Sequence, residues 1–296
     1  MGSLENRVQE EIVKSSARNL VVISDTHSGC RMALCPREGV HLDDGGEYLP
    51  SELQLKLCDW WDEFWDKWVP AVTHGEPWDL CHNGDAVEGV HHDSVTQISH
   101  NLHDQGEIAY CLLQPVVDLC KASGGSYYHI RGTEAHVSKS GQEEERLAKR
   151  LGSVPNDYGQ HARWELWKRV GGGLVHLLHH IGTTSSSAHE SSAVNAELST
   201  SYVEAGRWDH EPPDCLVRSH RHRCIEVRLP ARKHGELRYA SAIVTPAWQL
   251  KTPFAYKIAG ARQSQPQIGG ILIRQGDEEL HTRMYVRDLE RPRVEE

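Results

Sequence analysis

The sequence predicts an α/β fold of two packed β-sheets flanked by helices. Three observations predict it. Strand and helix signals alternate through the first half of the 296 residues and give way to mostly strand signals in the second. Short apolar runs, Asn19-Leu-Val-Val-Ile-Ser-Asp25, Leu174-Val-His-Leu-Leu-His179 and Cys215-Leu-Val-Arg-Ser-His220, have the length and composition of buried strands. Each run ends in a carboxylate or an imidazole, at the sheet edge where α/β folds keep their sites.

Residues 1–18 are polar and read as a short helix or a frayed arm. The first strand ends at Asp25. Residues 28–50 hold Gly29, Pro36, Gly39, Asp43-Asp44-Gly45-Gly46 and Pro50, the composition of a long loop. Ser51 caps an amphipathic helix that Pro70 is expected to stop after Val69. Leu53, Leu57, Trp60, Phe64 and Trp68 form its stripe, with Trp61 and Trp65 beside it, which favours core packing over base stacking. Trp78-Asp-Leu-Cys-His-Asn-Gly-Asp85 is a strand entering a glycine turn. A helix from about Val95 to Ala122 follows, with a kink expected at Pro115. Ser126 to Arg131 is a strand, and Glu143 to Leu151 a helix closed by Gly152.

Arg163 to Val170 and Leu174 to His179 read as a hairpin across Gly171–Gly173. Gly182–Ser187 reads as a mobile loop leading into a helix over Ala188–Ala205. Strands are expected at about 214–219, 223–229, 237–245, 269–274 and 281–287. The expected organisation is one domain over 19–290, β-rich from about 226, with a tail at 291–296.

Bulk composition sets the outer bounds. A 38% hydrophobic and 25% charged chain is that of a soluble globular protein. No apolar stretch approaches the roughly 20 residues of a membrane span. The N-terminus lacks the apolar core of a signal peptide, so a cytoplasmic location is expected. None of the eight cysteines forms a Cys-x-x-Cys pair, which favours buried free thiols over disulfides or a thiolate zinc site. A net charge of −10 argues against broad nucleic-acid binding. A local basic cluster, Arg218, Arg221, Arg223, Arg228, Arg232 and Lys233, keeps a nucleotide-sized anion among the expected ligands.

With 20 histidines in the chain, an isolated Asp-x-His or His-x-His is uninformative. Order and placement discriminate: Asp25 and His27, then Asp85, then His179 or His180, then His220 and His222. Carboxylate and imidazole together suit Mn²⁺, Fe or Zn²⁺, whereas Ca²⁺ would want oxygen alone. Two cations about 3.5–4 Å apart can clamp the attacking and leaving oxygens of a phosphoryl displacement. Asp85, in its glycine turn, is the natural bridging carboxylate. Asp25 and His27 share one side of an extended chain and can chelate one ion. His220 and His222 have the same period and can divide between two.

At these residues the sequence resembles the calcineurin-like metallophosphoesterase superfamily. Asp25-Thr-His27 matches its first motif, and Gly84-Asp85-Ala-Val-Glu88 is similar to its Gly-Asp-x-x-Asp/Glu motif. His179 matches the lone histidine after a strand, and Ser219-His220-Arg-His222 resembles the final Gly-His-x-His. The resemblance spans about residues 20–225. It implies a four-layer α/β-β/α sandwich of two mixed β-sheets flanked by helices, holding two divalent transition-metal ions. It also implies a metal-bound hydroxide attacking a phosphoester, by a phosphodiesterase or nuclease or by a phosphomonoesterase. By the same resemblance Asp25, His27, Asp85 and His222 hold one ion. Asp85, the third-motif ligand, His179 and His220 hold the other.

The third motif departs from the family's Gly-Asn-His-Asp/Glu. The strand ends in Gly132-Thr133-Glu134-Ala135-His136, without asparagine. Glu134 is the expected replacement ligand and Thr133 the weaker candidate. His136 is expected to protonate the leaving group or hold the phosphate. His180 is the less favoured alternative to His179. Glu88, Asn83 and His82 are expected to orient ligands, and Arg221 to face substrate. His91 and His92 follow the second motif, where they meet either substrate or solvent. The alternative function is an interaction scaffold whose catalysis has degraded.

Overall fold

A computed structural model describes residues 17–91, 94–137, 142–182, 187–233, 235–253, 255–256 and 265–289. His92, most of the N-terminal arm, residues 183–186 of the expected mobile loop and the 291–296 tail lie outside that range.

Two mixed sheets form the centre. The six-stranded sheet runs β13 (Leu280–Asp288), β12 (Gln267–Gln275), β1 (Asn19–Ile23), β4 (Trp78–Asn83), β5 (Tyr127–Ile130) and β6 (Ala162–Arg163). The five-stranded sheet runs β10 (Ile225–Lys233), β11 (Glu236–Val244), β9 (Cys215–Arg218), β8 (Gly173–Leu178) and β7 (Glu165–Val170). β1, β4, β5 and β6 are mutually parallel, as are β8, β9 and β11. The remaining pairs are antiparallel.

The alternation of side chains along each strand sorts the core into three slabs. Leu20 and Val22 of β1 pack with Val175 and Leu177 of β8 and with Cys215 and Val217 of β9, between the sheets. Val21 and Ile23 point the other way, into a slab with Leu57, Trp61, Phe64, Leu113, Val117 and Leu147 from the helices. Leu216 of β9 and Ala242 and Val244 of β11 meet Val194 and Leu198 of a helix on the far side. Helix, sheet, sheet and helix are therefore four layers, as expected.

The helices are α1 (Glu52–Glu63), α2 (Val69–Thr73), α3 (Leu102–Ala122), α4 (Glu134–Val137), α5 (Gln142–Leu151) and α6 (Glu190–Trp208). Ser51 and Gln54 cap α1 reciprocally, the arrangement that satisfies the free N–H groups of a first turn. Pro70 does not stop this segment. Phe64–Trp68 form a π-helical turn in which Val69 N donates to Phe64 O, and α2 continues with proline in its first turn. Trp61 and Trp65 are buried while Leu53 is 55% exposed, so the buried face differs from the expected stripe on both sides of the π-helical turn. α3 begins at Leu102 rather than near Val95 because Asn101 caps it, its side chain accepting from His103 N. Pro115 lies inside α3, which continues through it. Residues 40–41 and 47–48 form a two-residue-stranded hairpin, β2 and β3, within the long loop.

Candidate metal centre

Every motif lies just past the C-terminal end of a strand: Asp25 after β1, Asp85 after β4, Thr133 after β5, His179 after β8 and His220 after β9. Because β1, β4 and β5 run parallel in one sheet, and β8 and β9 in the other, these ends share one edge of the sandwich. The turns are tight. Asp25, His27, Asp85, His220 and His222 all have positive φ, between 42° and 72°. Among the described non-glycine residues only His74 and Asp209, both at helix C-termini, share that conformation. Such backbone costs about 1–3 kcal/mol per residue and gathers where function over-determines the chain. Backbone bonds hold it: Asp25 N donates to Gly84 O (2.9 Å), His27 N to Asp85 O (3.0 Å) and Trp248 N to Asp25 O (3.0 Å).

Three groups of ligand atoms result among the described residues, the third of which, His27, Glu88 and His136, shares His27 with the first. In the first, His222 Nε2 lies 3.3 Å from Asp25 Oδ1 and 3.2 Å from His27 Nε2, with His27 Nε2 3.9 Å from Asp25 Oδ1. In the second, Asp85 Oδ2 lies 3.0 Å from His179 Nε2 and 3.7 Å from His220 Nδ1. Ligand bonds of about 2.0–2.2 Å to one ion would put neighbouring ligand atoms roughly 3–3.5 Å apart, close to this spacing. Asp25 Oδ1 and His179 Nε2 are buried, and neither has a partner with hydrogen-bond geometry. Buried polar atoms left so are costly unless something else satisfies them, and a cation does. The residues present therefore fit a metal.

The outer contacts fix these rings. His179 Nδ1 donates to Asn83 O at 2.7 Å, which leaves Nε2 toward Asp85. Gly84 makes that approach possible, since a Cβ there would lie 2.4 Å from His179 Nδ1. His27 Nδ1 lies 3.0 Å from Glu88 Oε2, and Gln249 Nε2 donates to the same oxygen at 3.0 Å. A carboxylate behind an imidazole orients it toward a metal. Asn83 Nδ2 donates to Ser219 Oγ (2.6 Å) and Leu178 O (3.2 Å), tying one sheet to the other beneath the site.

Electrostatics follow the same partition. Burial pushes the Asp25 carboxyl up, but His222 and His179 more than reverse this and hold it well below the carboxylate range. Asp85 is likewise held low, chiefly by His179 against the effect of burial. Burial pushes His179 down, yet Asp85 raises it to about 10. Burial pushes His27 down as well, and Glu88, with Asp85 and Asp25, more than reverses this and raises it.

The third motif differs from expectation. Glu134 opens α4, is exposed and belongs to none of the three groups. Thr133 takes the inner position, its N–H and its hydroxyl donating to Asp85 Oδ1 at 2.7 and 3.0 Å. His136 packs edge-on against His27, with ring centres 4.5 Å apart, and its Nδ1 donates to Glu88 O at 2.6 Å. Burial holds its imidazole down at about 4, the Asp85 carboxylate only partly offsetting this. The ring is neutral near pH 7, with Nε2 as an acceptor. A proton-donor role therefore requires that it first receive a proton.

His180 is exposed at the rim, its ring 5.1 Å from that of His179 and 5.4 Å from that of His220. His91 reaches Glu88 at 3.3 Å and packs against His136. His82 meets Thr26 Oγ1 at 3.0 Å, below the first motif. The basic cluster is largely spent elsewhere. Arg218 pairs with Glu197, Arg223 with Glu190, Arg228 with Glu279 and Lys233 with Asp214. Arg221 Nη1 donates to Glu190 O. Sequence reasoning also missed Glu144, which is fully buried behind the second and third motifs. Its signal was position: Glu144, Leu147, Ala148 and Leu151 form the buried i, i+3, i+4, i+7 stripe of α5.

No protein-family model and no curated protein matches the chain. Among solved structures it is similar to a Thermotoga maritima protein determined by solution NMR, at 11% identity and a TM-score of 0.34, covering 92% of this chain and all of that one. It is also similar to vacuolar protein sorting 29 from Cryptosporidium parvum, at 13% identity and a TM-score of 0.32, covering 93% of this chain and all of that one. Likeness at this level identifies neither a family nor an activity. The chain has a mixed α/β sandwich and groups of Asp and His that can hold metal ions, and no described helix is long and apolar enough to cross a membrane.

Proposed function

We propose that this chain is a metal-dependent phosphoesterase with a dinuclear centre, acting on a phosphodiester. The observation that carries the reading is the pair of adjacent ligand groups, one oxygen and two imidazole nitrogens in each, with buried atoms that lack hydrogen-bond partners. Asp25, His27 and His222 would hold one ion, and Asp85, His179 and His220 the other. Such ligands suit Mn²⁺, Fe or Zn²⁺. When bound, the ions would supply Lewis acidity, making water nucleophilic at neutral pH and neutralising charge on phosphorus oxygens.

The chain's own residues do the rest. Glu88 holds the His27 ring, and the Asn83 carbonyl fixes the tautomer of His179. His136 Nε2 would accept the proton of the attacking water and hand it to the leaving oxygen, a relay that a neutral imidazole can begin. Arg218, Arg223 and Arg228 are committed to carboxylates and Arg221 to a backbone carbonyl, so the rim offers mainly imidazoles, of which burial holds His136 and His180 below the ordinary histidine value. That balance favours a singly charged diester over a dianionic monoester.

Hydrolysis of bis-(p-nitrophenyl) phosphate and p-nitrophenyl phosphate, each with Mn²⁺, Zn²⁺ or Mg²⁺ and with chelator, tests this. Chelator-sensitive turnover that is faster on the diester is expected. Turnover of neither ester with any of the three metals would refute it. One observation favours the scaffold reading: Thr133 donates to Asp85 where an acceptor for the ion would be wanted. That reading predicts no more than traces of transition metal on elemental analysis.

A further inference from the structure

We propose that Glu144 is a positioning residue, a buried clamp that aims the Asp85 carboxylate by gripping the second and third motifs together; this rests on the proposed centre for its functional meaning. Glu144 comes from the first turn of α5, outside every motif, and its side chain is 0% exposed. Its Oε1 accepts from the N–H of Ala86 at 2.9 Å, and its Oε2 from the N–H of Gly132 at 2.7 Å. Ala86 directly follows Asp85, and Gly132 directly precedes Thr133. Thr133 in turn donates twice to Asp85 Oδ1.

These bonds close a ring that runs from Glu144 through Ala86 and Asp85 to Thr133 and Gly132, and back to Glu144. The ring is tight. A Cβ on Gly132 would fall 2.0 Å from Asp85 Oδ1 and 2.3 Å from Asp85 N. Thr133 engages Oδ1 most closely, its hydroxyl also reaching Oδ2 at 3.3 Å, and Oδ2 is the oxygen that meets His179 and His220. Only an acceptor with two oxygens can satisfy both backbone donors at once. An apolar residue at this stripe position would fill the space and leave two buried N–H groups unpaired, each a costly omission. A glutamine would accept from one N–H and set its own amide donors against the other.

The neighbouring residue supplies a control. Glu145 also accepts two backbone N–H bonds, from His161 at 2.9 Å and Ala162 at 2.8 Å, but it anchors the start of edge strand β6, and its one link toward the third motif is the Arg131 side chain at 3.5 Å. Glu144→Gln and Glu145→Gln therefore each disturb one carboxylate's pair of backbone bonds, next to the motifs in one case and beside β6 in the other.

Two readouts on the full chain separate positioning from plain support. The first needs no metal: amide hydrogen exchange. Glu144→Gln is expected to speed exchange at Ala86, Gly132 and Thr133, whereas Glu145→Gln should do so at His161 and Ala162 alone. The second is Mn²⁺ titration, where Glu144→Gln is expected to weaken one of two binding steps about 10–100-fold and leave the other unchanged. Glu145→Gln should change neither step. Equal effects of the two variants on Mn²⁺, or unaltered exchange at Thr133 in Glu144→Gln, would overturn the proposal. If Glu144→Gln does not fold, Glu144→Asp keeps both acceptors on a shorter arm and carries the same comparison. A wild type that binds no Mn²⁺ while Glu144→Gln still frees Thr133 would refute the metal centre and keep the clamp.

Discussion

The two sheets contribute unequally to the site they share. The six-stranded sheet brings both carboxylates, Asp25 and Asp85, together with His27, Thr133 and His136. The five-stranded sheet brings imidazoles alone, His179, His220 and His222. The groups Asp25, His27, His222 and Asp85, His179, His220 each draw on both sheets, whereas His27, Glu88 and His136 come from the six-stranded sheet alone. The carboxylate half is also the better braced, with Glu88 behind His27 and Glu144 behind Asp85. In the imidazole half His179 is sealed, but the His220 side chain is 44% exposed. A sandwich of this kind separates charge supply from coordination geometry, and the slab of apolar side chains between the sheets sets their alignment.

That contrast breaks most severely at Asp85. Asp85→Asn keeps the shape and removes the charge, so turnover of a phosphodiester should fall at least about 10³-fold, or roughly 4 kcal/mol of transition-state stabilisation. Circular dichroism should show an unchanged fold. Retained metal-dependent activity would contradict the placement of Asp85 in the centre. The alignment of the halves is tested in the shared slab. Ile243 of β11 is fully buried between the sheets, and Ile243→Ala should cost about 2–5 kcal/mol in urea unfolding. A loss under about 1 kcal/mol would mean that the slab is loosely packed.

Bracing is tested next. Glu88→Gln should weaken Mn²⁺ binding about 10–100-fold through misorientation of His27. Unchanged affinity would make Glu88 a bystander.

The smallest effect concerns the outer rim of the five-stranded sheet, where Glu211 meets Lys233 (2.8 Å) and Arg169. Partial burial raises the Glu211 carboxyl, but these cations lower it to about 2. Its contribution is therefore fully present above the unfolded value near 4.3 and lost as pH falls through about 2. The melting temperature of wild type should drop across that window by slightly more than that of Glu211→Gln. Parallel profiles would show the pair to be without net effect.

Much of this was legible in the sequence because strand ends are marked by composition. Apolar runs that finish in Asp or His gave β1, β4, β8 and β9 and the order of the motifs, and periodicity gave the helices that flank them. Boundaries failed where one extra bond changed the geometry. The π-helical turn at Phe64–Trp68 carried the helix into Pro70, and Asn101 set the start of α3. Glu134 is exposed at the start of a helix and outside the ligand groups, which no spacing rule reveals. The arginine cluster read as a basic rim because its acidic partners lie far along the chain, Glu190 for Arg223 and Glu279 for Arg228. Glu144 lay in a run of three glutamates that resembles a solvated first turn, and only its place on the buried stripe sets it apart.

The claim that two unequal halves make one two-ion centre is tested most directly by counting ions. After equilibrium dialysis against Mn²⁺, elemental analysis should find close to two ions per chain in wild type and close to one in His222→Ala. One ion or fewer in wild type would contradict it.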